Sequence, residues 1–245
     1  MNKWLEYHEA VERRIMEMMR PDAPNPMYEQ GWQDYTQGRY REAAGQFADS
    51  ARMYEEAGTS DSLDYARTLY ALGELYLLWE EEDEFSDSDG VKSLSEKARK
   101  AYCDARDIYE RHDLTDQQQI ELSFLYDQIA LEDLSKEKYA DTLSWYQKSR
   151  EIRERVLGAG HAYTAESYND IGNMYYVHND YDAALEWYFK AHAVNERVCA
   201  VLHTPDHTAL GVHQRHVRRT VFPDEVPAAA LMPALGGGID VLLDG

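Results

Sequence analysis

"LYDQIALEDLSKEKYADTLSWYQKS" occupies residues 125–149, and "SYNDIGNMYYVHNDYDAALEWYFKA" occupies residues 167–191. Tyr126 is matched by Tyr168, Ile129 by Ile171 and Tyr139 by Tyr181. Leu143, Trp145, Tyr146 and Lys148 return as Leu185, Trp187, Tyr188 and Lys190, and Glu154-Arg155-Val156 as Glu196-Arg197-Val198. The register is constant at 42 residues. A fixed period of this size marks a stacked array, in which one unit cannot cover its own apolar face and its neighbour does so.

Outward from this stretch, apolar residues recur at helical spacing and no alternating strand pattern of useful length occurs. Met1 to Arg20 places Trp4, Leu5, His8, Val11, Ile15 and Met18 on one stripe, an amphipathic helix ended by "PDAPNP" at 21–26. A helix from Met27 breaks at Gly38, and another runs from about Tyr40 to Ala57. "GTSDS" reads as a capping turn before a helix from Leu63 to about Trp79. The run "EEEDEFSDSDG", 80–90, reads as an acidic insertion before a helix from about Val91 to His112. "DLTDQQQ" caps the next helix, and two further breaks fall near Lys136–Lys138 and Asn179–Asp180. The expectation is an all-α solenoid of about four antiparallel helix pairs, residues 27–201, preceded by an N-terminal helix, residues 1–20.

Each pair repeats one grammar. Met27, Leu69, Tyr126 and Tyr168 open the buried stripe of the first helix, and Gly31, Gly73, Ala130 and Gly172 follow four residues on. The second helix carries a small residue and then an aromatic: Ala43 and Phe47, Ala98 and Tyr102, Thr142 and Tyr146, Ala184 and Tyr188. A missing side chain lets two helices approach, and small-then-aromatic makes a hole and a knob.

The chain as a whole narrows the function. Lys plus Arg is 25 and Asp plus Glu is 46, a formal charge of −21. Such a surface repels phosphate backbones and anionic lipid, so nucleic acid and membranes are disfavoured partners. It suits a basic partner, although acidity is first of all a solubility device. Hydrophobic residues at 44 % are too many for a disordered acidic chain. Cys103 and Cys199 stand far apart with no CxxC, which fits a reducing compartment. The charged N-terminus has no apolar signal core, and no apolar run approaches a bilayer span of about 20 residues, so the expected location is cytoplasmic.

"HAYTAESYNDIGNMYYVHNDYDAALEWYFKAHAVNERV", 161–198, resembles the tetratricopeptide repeat family in its longer 42-residue form, found in kinesin light chains and many bacterial regulators. The match is most specific in the fourth pair, good in the third and looser in the first two, over about Met27 to Val201. It departs at Ala130 and Thr142 and at the insertion in the second pair. The resemblance implies a concave groove lined by the first helix of each pair. Carried over by position, the lining is Tyr28 and Trp32, Tyr70 and Glu74, Asp127 and Leu131, Asn169 and Asn173, with Tyr35, Leu77, Leu134 and Tyr176 beyond. Asn169 and Asn173 each offer a donor and an acceptor, enough to hold an extended peptide backbone, or else are simply solvated polar residues. Tyr28, Trp32, Tyr35, Tyr70 and Tyr176 would add aromatic surface, although aromatics at helical spacing are more often core. Glu74 and Asp127 make the lining acidic. The cations with which chaperone-binding relatives clamp a terminal carboxylate are absent at these positions, which points to a ligand with Lys, Arg or apolar character.

Other motifs are weaker. "FSDSDGVKSLSE", 85–96, nearly spells a calcium loop, but Phe85 stands where the first carboxylate ligand belongs and Lys92 where an apolar residue belongs. A solvated acidic loop is the better reading. His203, His207, His213 and His216 crowd the end of the chain without a supporting ligand set. No nucleophile elbow, phosphate loop or HExxH occurs, so neither cofactor, metal nor enzymatic activity is expected. From about residue 202 to 245 the grammar stops, where another pair is due. The segment is either a disordered or partner-bound tail or the product of a shifted reading frame. With permissible codons, "HTPDHTALGVHQRHV" read one base later gives "THPTTPPWVYTNAM", which restores a repeat-like opening. Either way the array would end on an uncapped apolar face, which invites self-association. The functional expectation is a non-enzymatic adaptor that binds a partner peptide or helix in its groove. The alternative is a truncated sensor or regulatory arm of a larger signalling or effector protein.

Overall fold

The structure, a computed structural model, describes residues 13–82 and 88–202. Among the described residues the regular elements are all helices. They are α1 (residues 13–18), α2 (Pro26–Thr36), α3 (Tyr40–Glu56), α4 (Leu63–Glu82), α5 (Ser88–Tyr109), α6 (Asp116–Leu134), α7 (Tyr139–Val156), α8 (Ala162–Val177) and α9 (Tyr181–Leu202). Pairs α2·α3, α4·α5, α6·α7 and α8·α9 pack within themselves, and each second helix packs on the first helix of the next pair. The result is an all-α solenoid.

Helix starts follow from local chemistry. Asn25 caps α2 by accepting from the N–H groups of Met27 at 3.1 Å and Tyr28 at 3.0 Å, with Pro26 at a position where no donor is needed. Thr115 and Gln118 form a reciprocal capping box on α6. His161 caps α8 through Nδ1, accepting from Tyr163 N–H at 3.2 Å. Backbone from Ser88 onward is already helical, so Asp89, Gly90 and Glu96 lie along a helix and not around a calcium loop. Residues 83–87, the histidines beyond 202 and the first twelve residues lie outside the described residues.

The packing grammar is the organising contact of three pairs. A β-carbon added at Gly31 would lie 2.8 Å from the Phe47 ring, at Gly73 2.5 Å from Tyr102, and at Gly172 2.6 Å from Tyr188. The aromatic ring of the second helix thus fills the notch that the glycine leaves in the first. Ala43, Ala98, Thr142 and Ala184, the small residues four before the aromatic on each second helix, are buried. The turn joining the helices of a pair also repeats. Gly38, Glu137 and Asn179 all have positive φ, at 72°, 58° and 61°. In each turn the next residue's N–H returns to a carbonyl of the final helical turn: Arg39 to Asp34, Lys138 to Asp133, Asp180 to Tyr175, each at 3.0 Å.

Polar contacts fasten one pair to the next on both rows of helices. Among the first helices, Arg67 of α4 bonds Glu121 of α6 in a buried ion pair at 3.0 Å. Phe124 of α6 meets Tyr163 of α8 edge-on at 5.2 Å. Among the second helices, Arg106 of α5 lies 5.3 Å from the Trp145 ring of α7, and Arg150 of α7 lies 5.4 Å from the Trp187 ring of α9. Lys148 and Lys190 cover the same two rings at 4.4 and 3.7 Å.

Candidate partner-binding groove

The first helices α4, α6 and α8 stand in a row, so the residues they turn outward share one surface. The notch-filling ring decides what the neighbouring residue on that surface must be. Tyr102 fills the Gly73 notch, and its hydroxyl donates to Glu74 Oε1 at 2.9 Å. Tyr188 fills the Gly172 notch, and its hydroxyl donates to Asn173 Oδ1 at 2.8 Å. Phe47 fills the Gly31 notch and has no hydroxyl, and the corresponding residue is Trp32, which offers no acceptor oxygen. Glu74 and Asn173 are therefore partly structural acceptors. With Oδ1 engaged, the Asn173 carboxamide is oriented with its NH2 away from Tyr188.

Tyr28 and Tyr70 do not line the surface. Both are fully buried, Tyr28 against Phe47 at 4.6 Å and Tyr70 against Tyr102 at 5.7 Å, where their rings complete the core instead of meeting solvent. Tyr35 is buried between Trp32 and Tyr40. Trp32 remains partly exposed under the Arg20 guanidinium, 5.4 Å from its ring. Glu74, Asp127, Asn169, Asn173 and Tyr176 keep partial exposure, and Leu131 is 50 % exposed. Tyr176 stacks edge-on with Tyr181 at 5.5 Å.

Between α6 and α8 the floor carries charges that position-matching left out. Arg153 of α7 is fully buried below it, a centre that ties three helices together. It donates to Ser123 Oγ of α6 at 3.0 Å, to Ser167 Oγ of α8 at 2.9 Å, to the Tyr163 carbonyl at 3.2 Å, and to the Asp127 carboxylate. Its guanidinium also lies 4.7 Å from the Phe124 ring. Glu166 and Asp170 stand four residues apart on α8 and face the same group. Burial pushes Glu166 up to about 6, against the pull of Arg153. Burial and then the Asp127 charge push Asp170 well above the usual carboxylate range. Burial also raises Asp127, outweighing Arg153. Arg153 thus bonds one of the three carboxyl groups, Asp127, and its charge acts on the other two. Glu166, Asp170 and Asn173, spaced by four and three, were readable as one stripe of α8. The buried arginine had no such signal, because its stripe on α7, with Thr142, Tyr146 and Ser149, carries no other charge.

Among the described residues no group of side chains could hold a metal ion, and no helix is long and apolar enough to cross a membrane.

Residues 125–197 match the tetratricopeptide repeat family. Among solved structures, the chain is similar to BtubC from P. vanneervenii, with a TM-score of 0.58 at 14 % identity over 84 % of this chain and 77 % of that one. A weaker likeness, to MamA, has a TM-score of 0.38 at 16 % identity over 69 % of this chain and 96 % of that one. At these identities the first likeness concerns the fold alone. A search of curated proteins finds no match.

Proposed function

Since residues 125–197 match the tetratricopeptide repeat family, we propose that the chain is a non-enzymatic cytoplasmic adaptor that holds a segment of a partner protein along its first-helix row. The observation that carries this reading is the α6–α8 surface. Leu131 is exposed on α6, and α6 and α8 together carry the carboxyl groups of Asp127, Glu166 and Asp170 and the part-exposed carboxamides of Asn169 and Asn173. Such a surface suits an extended or helical segment that alternates apolar and basic residues. The apolar side chains rest on Leu131 and Tyr176, the cationic ones neutralise Asp127, Glu166 and Asp170, and the carboxamides meet the backbone. Trp32 and Glu74 extend the same lining toward the N-terminal pairs.

The test is a comparative pull-down followed by direct titration of the recovered segment. Asn169→Ala with Asn173→Ala should weaken binding at least tenfold while leaving the helical circular dichroism unchanged. Equal binding by this variant would remove the groove assignment.

A further inference from the structure

We propose that the seam between α6 and α8 is a seat for one ammonium group, the lysine side chain of a partner segment, held by Asp170 and Glu166 of α8 across from Asp127 of α6. The seat lies on the same first-helix row as the proposed groove and so rests on that reading.

Pairing sets these two carboxyls of α8 apart. Among the described residues, every other Asp or Glu that is partly or fully covered makes a hydrogen bond or an ion pair, as Asp34 does with Arg39, Glu132 with Ser95 and Asp133 with Arg99. Glu166 and Asp170 are also partly covered, and neither makes one. The groups that face Asp170 are Glu166 on its own helix, Asp127 from α6, Arg153 and Tyr146 from α7, and Tyr188 from α9. Arg153 is the one cation among them. Its guanidinium donates to Ser123, Ser167, the Tyr163 carbonyl and Asp127, and to neither carboxyl of α8. The Oδ1 of Asp127 is buried with no donor in reach. Covered carboxylates without a partner are costly, and a cation brought from outside relieves that cost.

The repeat shows that the fold does not require acids here. Tyr70 and Asp127 each follow the residue that opens the buried stripe, and Gln128 and Asp170 each stand two residues after it. Across the α4–α6 seam the facing pair is neutral, and the Tyr70 and Gln128 side chains share a hydrogen bond. Across the α6–α8 seam the same two positions hold two carboxyls. Glu166 replaces Phe124, whose ring packs edge-on against Tyr163. Like charges in facing positions weaken a seam unless a cation joins them. An ammonium carries three diverging N–H groups, which suit single oxygens of separate carboxyls, whereas the planar fork of a guanidinium suits both oxygens of one. The ammonium binds the ionised form, so seating it expels to solvent the proton that Asp170 or Glu166 holds.

Carbon-detected NMR of the full chain can follow the Asp170 and Glu166 carboxyls through a pH titration. The probes are the N-acetyl methylamides of lysine, norleucine and arginine, and potassium chloride at matched ionic strength. The lysine amide should lower both midpoints, that of Asp170 by about one pH unit or more. The norleucine amide and potassium chloride should leave them in place. Asp170→Gln installs the residue found one repeat earlier. It should keep the helical signal, raise the melting temperature and abolish the lysine-specific shift at Glu166. An Asp170 midpoint that the lysine amide fails to move, or moves no further than potassium chloride does, overturns the seat. So does a shift at Glu166 that survives Asp170→Gln. An equal response to the arginine amide overturns the assignment to lysine. Groove binding is read separately with the Asn169 and Asn173 variant. A lysine-specific shift beside unchanged partner binding by that variant keeps the seat and drops the groove, and the converse keeps the groove and drops the seat.

Discussion

At the scale of single residues, glycines that look alike in the sequence have opposite roles. Gly73 and Gly172 face tyrosine rings closer than any real β-carbon tolerates, whereas Gly45, midway along α3, has nothing within 4 Å. Gly73→Ala should therefore destabilise by roughly 1–3 kcal/mol through overpacking, despite the gain in helix propensity. Gly45→Ala should stabilise by up to about 1 kcal/mol, and thermal melts of the two variants should move in opposite directions. Glu137 holds the left-handed turn position that Gly38 and Asn179 hold in other pairs. A side chain there costs about 1–2 kcal/mol, so Glu137→Gly should raise the melting temperature, and an unchanged or lower one would contradict the turn geometry. These small and turn-forming residues were legible in the sequence because backbone geometry depends on residue type and spacing. What was not legible was which aromatics end in the core. Tyr28 and Tyr70 precede their notches by three residues and read like groove residues, but each turns its ring onto the aromatic that fills the notch.

At the scale of elements, the floor between α6 and α8 rests on one buried cation. Arg153→Met leaves the mostly covered Asp127 without its partner and should cost roughly 2–4 kcal/mol, a loss that Asp127→Asn in the same chain should largely recover. Denaturant titrations of the two variants and the double variant give the coupling. The same floor makes stability depend on pH. Glu166 has its folded value raised to about 6, so the folded state holds its proton more tightly than the unfolded chain does. Its effect on stability is then unfavourable and develops as pH rises through the window from the ordinary carboxylate value to about 6. Glu166→Gln should raise the melting temperature above pH 6.5 and leave it nearly unchanged at pH 4.5. An equal gain at both values would show that the carboxyl does not titrate in the fold. The helices and their pairing could be read from periodicity, since burial on one face is a property of one element. This charge centre could not, since it needs three elements to meet.

At the scale of the whole molecule, the acidic surface bears on recognition. A partner held by neutralising Asp127, Glu166 and Asp170 should bind more weakly as salt rises, whereas an apolar partner should not. Titration of the recovered segment at two ionic strengths separates these, and a salt-independent affinity would leave the apolar contacts as the main ones. The seams between pairs add a mechanical consequence. Arg67–Glu121 and the Arg153 centre bridge successive first helices, while Arg106 with Trp145 and Arg150 with Trp187 bridge successive second helices. A superhelix opens or closes by lengthening one row relative to the other. With both rows tied, neither can stretch without breaking a charge contact, so from α4 to α9 the chain should behave as a stiff arc and not as a spring. Pulled from its ends, it should show little compliance before whole pairs give way, and a ligand should meet a channel whose width is already set.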